Sequence, residues 1–143
     1  MREESDFIKD VEVVARVLEM QGKDNPQKEG KKLYRKYKET KNDAVRLAVA
    51  LRGFFVSEGI SQEQREEFGG YIRAQIVPAV LELIEEEDVE KIGTLEEMGW
   101  FTGEQVELFI RTARERHKTA ALVWLMHLKD KKYGYAEEEF FLW

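Results

Sequence analysis

Asp43-Ala44-Val45-Arg46-Leu47-Ala48-Val49-Ala50-Leu51-Arg52-Gly53-Phe54-Phe55-Val56 is the most apolar stretch of the chain. Ala44, Leu47, Ala48, Leu51, Phe54 and Phe55 recur at helical spacing. An apolar face this wide has to be covered by several neighbours, so the segment is expected at the centre of a helical core.

The flanking sequence supplies those neighbours. Upstream, Phe7, Val11, Val14 and Leu18 lie on one helix face, and Gly22 is expected to end that helix. Asn25-Pro26 reads as an N-cap followed by proline at the first helical position. The helix it opens, about 27–39, is the most polar, with Leu33, Tyr34 and Tyr37 as its large apolar side chains. Downstream, Ser61-Gln62-Glu63-Gln64 has capping-box spacing. Gly69-Gly70 is expected to weaken or bend the helix that follows. Pro78 is expected to force a break near Val77 and to start a helix over 78–87.

Residues 88–98 read as a short helix stopped by Gly99, and Thr102-Gly103-Glu104-Gln105 is a second capping box. It opens a helix with Val106, Phe109, Ile110 and Ala113. After a turn over 116–118, a last helix is expected over 119–132, carrying Leu122, Leu125, Met126 and Lys129. Strand alternation and tight hairpin turns are missing from the sequence. The expected fold class is all-α, with about six to eight helices stacked as antiparallel pairs. One helical domain is expected over 1–134, divided into N-terminal helices (1–57) and two candidate helix-pair repeats (58–134), followed by an acidic-aromatic tail (135–143).

The repeats rest on an echo. Gly59-Ile60-Ser61-Gln62-Glu63-Gln64 matches Gly99-Trp100-Phe101-Thr102-Gly103-Glu104-Gln105 with one residue inserted. Tyr71-Ile72-Arg73 then corresponds to Phe109-Ile110-Arg111, and residues 79–84 to 121–126. A period near 40 falls among two- and three-helix solenoid units such as HEAT and armadillo repeats. Residues 88–134 also resemble a divergent ankyrin-like helix pair of the kind found in uncharacterised proteins of Gram-positive bacteria. The features that carry it are Met98-Gly99 closing a short helix, a helix ending at Ala113, a turn, and Leu125-Met126-His127-Leu128-Lys129. The Thr-Pro-Leu-His opening is missing, and Arg116 stands where the turn glycine would be, with His117 after it. The resemblance implies a helical repeat and a binding role, with no partner assigned.

Composition narrows the function classes. The 143 residues include no cysteine, which removes disulfides, thiolate metal sites and cysteine nucleophiles. The acidic start Met1-Arg2-Glu3-Glu4-Ser5-Asp6 does not read as a secretory leader, and no apolar run is long enough to span a membrane. A cytoplasmic location is therefore expected. Net charge is −6. Residues 23–46 carry nine basic and four acidic side chains, whereas residues 82–97 carry eight acidic ones against Lys91.

Candidate chemistry is sparse. His117 and His127 lack metal-motif partners, and Glu85-Glu86-Glu87-Asp88 reads as a solvated helix end whose carboxylates diverge. Phosphate-binding glycine loops and nucleophile elbows are missing from the sequence, and of Ser5, Ser57 and Ser61 the last is explained as a cap. No catalytic residue, cofactor or metal is expected. The sharpest signal is the basic stripe Lys28, Lys31, Lys32, Arg35 and Lys36, with Lys38, around Tyr34 and Tyr37. The second is the terminal Phe140-Phe141-Leu142-Trp143, four large apolar side chains in sequence. The expected function is a non-enzymatic protein–protein interaction module or small scaffold, binding a protein partner or itself. The alternative is a nucleic-acid-associated regulator using the 28–38 helix, whose lysines would hold phosphates and whose tyrosines would stack on bases.

Overall fold

A computed structural model describes residues 4–24, 26–56 and 58–133. Among them are eight α-helices and no strand: α1 (Glu4–Asp24), α2 (Pro26–Glu39), α3 (Asp43–Phe55), α4 (Gln62–Ala74), α5 (Ile76–Glu85), α6 (Val89–Glu97), α7 (Gly103–Glu115) and α8 (Thr119–Leu128). A π-helical segment, Lys129–Tyr133, continues α8. The helices form two compact units, Met1–Glu82 and Leu83–Trp143.

In the first unit α3 is central and packs against α1, α2 and α4. Asn42 caps it, its side chain accepting from the Val45 N–H. Leu47, Ala48, Val49 and Ala50 have at most 1% of their surface exposed. Truncating a buried leucine such as Leu47 costs roughly 2–5 kcal/mol. An exposed pair such as Arg16–Glu12 contributes about 1 kcal/mol at most. Burial along α3 therefore outweighs an exposed ion pair in this unit.

Three glycines set how closely the neighbours approach. A Cβ at Gly53 would lie 2.4 Å from the Phe68 ring of α4. One at Gly30 would lie 2.5 Å from the Gly59 backbone, and one at Gly22 would lie 2.4 Å from the Glu29 carboxylate. Gly22 thus does not end α1, which runs on to Asp24 and uses the bare position as a seat for Glu29 of α2. α4 runs unbroken through Gly69-Gly70. Gly69 is buried, so tertiary packing offsets its low propensity.

Pro78 also sits differently from expectation. The break falls at Gln75, and α5 starts at Ile76. Pro78 is then its third residue, where a helix N–H has no intrahelical partner to lose.

The second unit is organised by its helix ends. α6, α7 and α8 are preceded by Asp88, Thr102 and Lys118, and the Thr102 capping box is formed in full. α5, α6 and α7 all end with a left-handed residue: Glu87 (φ 54°), Gly99 (φ 72°) and His117 (φ 57°). At each, the following N–H reaches back five residues. Asp88 donates to the Leu83 carbonyl, Trp100 to Leu95, and Lys118 to Ala113. These are Schellman ends, usually built on glycine. Only Gly99 supplies one, so the other two were invisible to glycine-based reading.

The links after α5 and α7 share more than their ends. Asp88 (φ −85°, ψ 77°) and Lys118 (φ −92°, ψ 78°) adopt the same conformation thirty residues apart. The buried Ile76, Ala79, Val80, Leu83 and Leu95 match the buried Val106, Phe109, Ile110, Ala113 and Leu125 at the same offset. The echo at a period near 40 pairs α4–α5 with α7–α8 instead. Its matching capping boxes form, but α4 ends on Gln75 (φ −114°, ψ 37°) without a left-handed residue.

Two glycine changes should have opposite signs. Gly53→Ala should lower stability by roughly 1–3 kcal/mol through overpacking against Phe68. Gly70→Ala, with open space around it in a helix, should raise stability by about 0.5–1 kcal/mol. His117→Gly should also stabilise, by about 1 kcal/mol, by relieving the left-handed backbone. Denaturant unfolding of each variant measures these differences.

Candidate functional site

The basic stripe lies on α2, and the aromatic residues within it face inward. Leu33 and Tyr37 are buried and Tyr34 is half-buried. Tyr37 meets Phe68 edge-on at 5.1 Å and Tyr71 at 5.8 Å, and Tyr34 meets Phe68 at 6.0 Å. Arg46 of α3 stacks over Tyr37 and Tyr71 at 5.4 and 6.0 Å. The Tyr34 hydroxyl donates to Glu67 at 3.2 Å. Lys38 pairs with the same carboxylate at 2.8 Å and lies over the Tyr34 ring. The tyrosines and Lys38 therefore anchor α2 to α4.

What remains outside is cationic. Lys28, Lys31, Lys32, Arg35 and Lys36 are all exposed, and none forms an ion pair with another described residue. Beside them, α1 and α2 enclose a groove of about 360 Å³ lined by Leu18, Gln21, Gly22, Glu29, Lys32, Leu33 and Lys36. Leu18 and Leu33 make its apolar part, and Lys32 and Lys36 are its cations. The Glu29 carboxylate is buried and accepts from Arg52 Nε at 2.5 Å, so its charge is offset from within. Sequence reading found the stripe and missed the groove, because Glu29 resting on Gly22 is a contact between helices.

The acidic segment behaves otherwise. Glu85 is nearly buried and pairs with Arg116 and Lys118. Glu87 accepts from the Ala120 N–H at 3.0 Å and so caps α8, whose own Lys118 makes no side-chain cap. Asp88 caps α6 by accepting from Lys91. Glu96 is buried under Lys132, which reaches both its oxygens at 2.8 and 2.9 Å. Glu85-Glu86-Glu87-Asp88 is thus not a solvated helix end. Glu85 and Glu87 hold the second unit together through partners about thirty residues away, and Asp88 caps α6 locally.

A second groove, about 370 Å³, is lined by Gly93, Glu96, Glu97, Trp124, His127, Leu128 and Lys131. His127 is exposed there, and His117 is the left-handed turn residue. The described residues contain no cluster of histidine and carboxylate ligands fit to hold a metal. None of their helices is long and apolar enough to cross a membrane. Phe140, Phe141, Leu142 and Trp143 lie outside the described residues. Comparison with protein-family models, curated proteins and solved structures returns no match.

The anchor has a pH signature. Burial, then the nearby Glu67 charge, pushes the Tyr37 hydroxyl up, against opposing contributions from Arg46 and Lys38. Burial, then Asp43, pushes Tyr71 up. The hydrogen bond to Glu67 raises Lys38, and that to Glu96 raises Lys132. Each group holds its proton more tightly when folded. Their stabilisation is complete below the unfolded values, about 10 for tyrosine and lysine, and is lost as pH rises through the folded ones. The melting temperature should therefore fall above about pH 10, and less steeply in the Tyr37→Phe, Tyr71→Phe variant, as alkaline thermal scans would show.

Proposed function

We propose that the chain is a non-enzymatic protein–protein interaction module whose working surface is the outer face of α2 with the α1–α2 groove. One observation carries this reading. Five adjacent cations stand clear of the described carboxylates beside a groove floored by Leu18 and Leu33, while Glu85, Glu87 and Glu96 of the second unit are held by internal partners. A face of like charges repels itself, so its natural complement is an acidic surface.

The nucleic-acid reading has less support. Stacking on bases needs open aromatic faces, and the Tyr34 and Tyr37 rings are occupied by Phe68, Tyr71, Lys38 and Arg46. The overall charge of −6 also opposes a polyanion. The matched links after α5 and α7 support a helix-pair unit of about thirty residues, nearer the ankyrin length of about 33 than the period near 40. The ankyrin-like kinship and a cytoplasmic setting belong to this same proposal.

The test is charge reversal. Immobilised wild-type chain should retain a protein from its native lysate at low ionic strength. The Lys28→Glu, Lys31→Glu, Lys32→Glu, Arg35→Glu, Lys36→Glu variant should fold and retain none of it. Equal retention by both, or retention of nucleic acid alone, would count against the reading.

A further inference from the structure

We infer that the α1–α2 groove and its basic rim bind residues 137–143 of a second copy of this chain. The inference rests on the interaction reading above and names its occupant. The groove asks for a ligand with two chemistries side by side. The buried Leu18 and Leu33 form its apolar floor, each at most 4% exposed, and Lys32 and Lys36 offer positive charge at the same opening. At about 360 Å³ it lies near the lower end of ligand-pocket volumes, roughly 300–1,000 Å³, enough for one or two large side chains and too small for a helix.

The sequence holds two runs of three or more acidic residues, 85–88 and 137–139. Glu85, Glu87, Asp88 and Glu96 are bound to Arg116, Lys118, the Ala120 amide, Lys91 and Lys132. They cannot leave these partners without loss to their own unit. Glu137-Glu138-Glu139 is the other run of three or more acidic residues, and Phe140-Phe141-Leu142-Trp143 follows it directly. Three carboxylates followed by apolar side chains match a row of lysines and an arginine followed by an apolar groove. Glu29 presents no counter-charge to the incoming segment, because Arg52 holds it. The Lys32 and Lys36 ammoniums would pair with the carboxylates, and an aromatic side chain would take the space over Leu18 and Leu33.

Charge exchange within the full chain tests this by sedimentation at low and high ionic strength. Wild type should self-associate at low ionic strength, above the 16.8 kDa of one chain. The Lys32→Glu, Lys36→Glu variant should weaken association by about tenfold or more, equivalent to at least 1.4 kcal/mol, and so should Glu137→Lys, Glu138→Lys, Glu139→Lys. Combining both sets in one chain should restore it. All these side chains except 137–139 are seen to be exposed, and unchanged circular dichroism would show that folding is intact. A wild-type chain that stays at single-chain mass would overturn the inference. So would failure of the combined chain to regain association, or a basic face whose reversal removes only binding to single-stranded RNA. Loss of the lysate partner on reversal of the α2 face, without any self-association, would leave the interaction reading standing and remove this one alone.

Discussion

Helix α3 cannot be exposed to water without losing most of the apolar burial of the first unit, and this constraint shapes everything around it. Leu47, Ala48, Val49 and Ala50 span all sides of the helix, so α1, α2 and α4 must close on it from different directions. Close approach needs bare backbone, hence Gly53 under Phe68. It also brings Arg52 to Glu29, whose carboxylate sits on Gly22. A buried charge is tolerable only when paired, so the Arg52–Glu29 contact links α2 to α3 and fixes α2 beside α1. The groove lies between α1 and α2, with Glu29 of that pair in its lining. The site is thus a consequence of burying α3.

The same logic explains why α2 shows its cations outward. A helix with Leu33, Tyr34 and Tyr37 as its only large apolar side chains has a narrow inner face. Two edge-on contacts to Phe68 and the Glu67 hydrogen bond occupy it. The remaining circumference has to be solvated, and here it is solvated by five cations. In the second unit the charges do the opposite work. Short helices with little apolar area to share are tied by carboxylates that cap or pair across roughly thirty residues, Glu87 to α8 and Glu85 to Arg116 and Lys118. Removing one partner from such a pair leaves a charge with poor access to water, which costs more than the pair contributes.

Local signals were legible in the sequence. Ser61 and Thr102 form the capping boxes their spacing predicts, Gly99 closes α6, and the apolar run at 43–56 becomes the central helix. The misreadings share a cause, which is that tertiary contacts decided them. Gly22 looked like a helix end because propensity does not register the Glu29 carboxylate that packs on it. Pro78 looked like a start because its place in the first turn of α5 depends on where α4 stops. Glu87 and His117 adopt left-handed conformations with no glycine to announce them. The cationic half of the site was readable from helical spacing, whereas its apolar half needed α1 and α2 to be placed together.

Native-state hydrogen exchange tests the account's central claim most directly, because it reads how firmly each helix is buried. If α3 is the element on which the first unit depends, the amides of residues 47–51 exchange only through global unfolding and are the slowest there. Their opening free energy then equals the unfolding free energy of that unit. The account is contradicted if these amides exchange as fast as those of the outer helix α1, since α3 would then open without the unit coming apart.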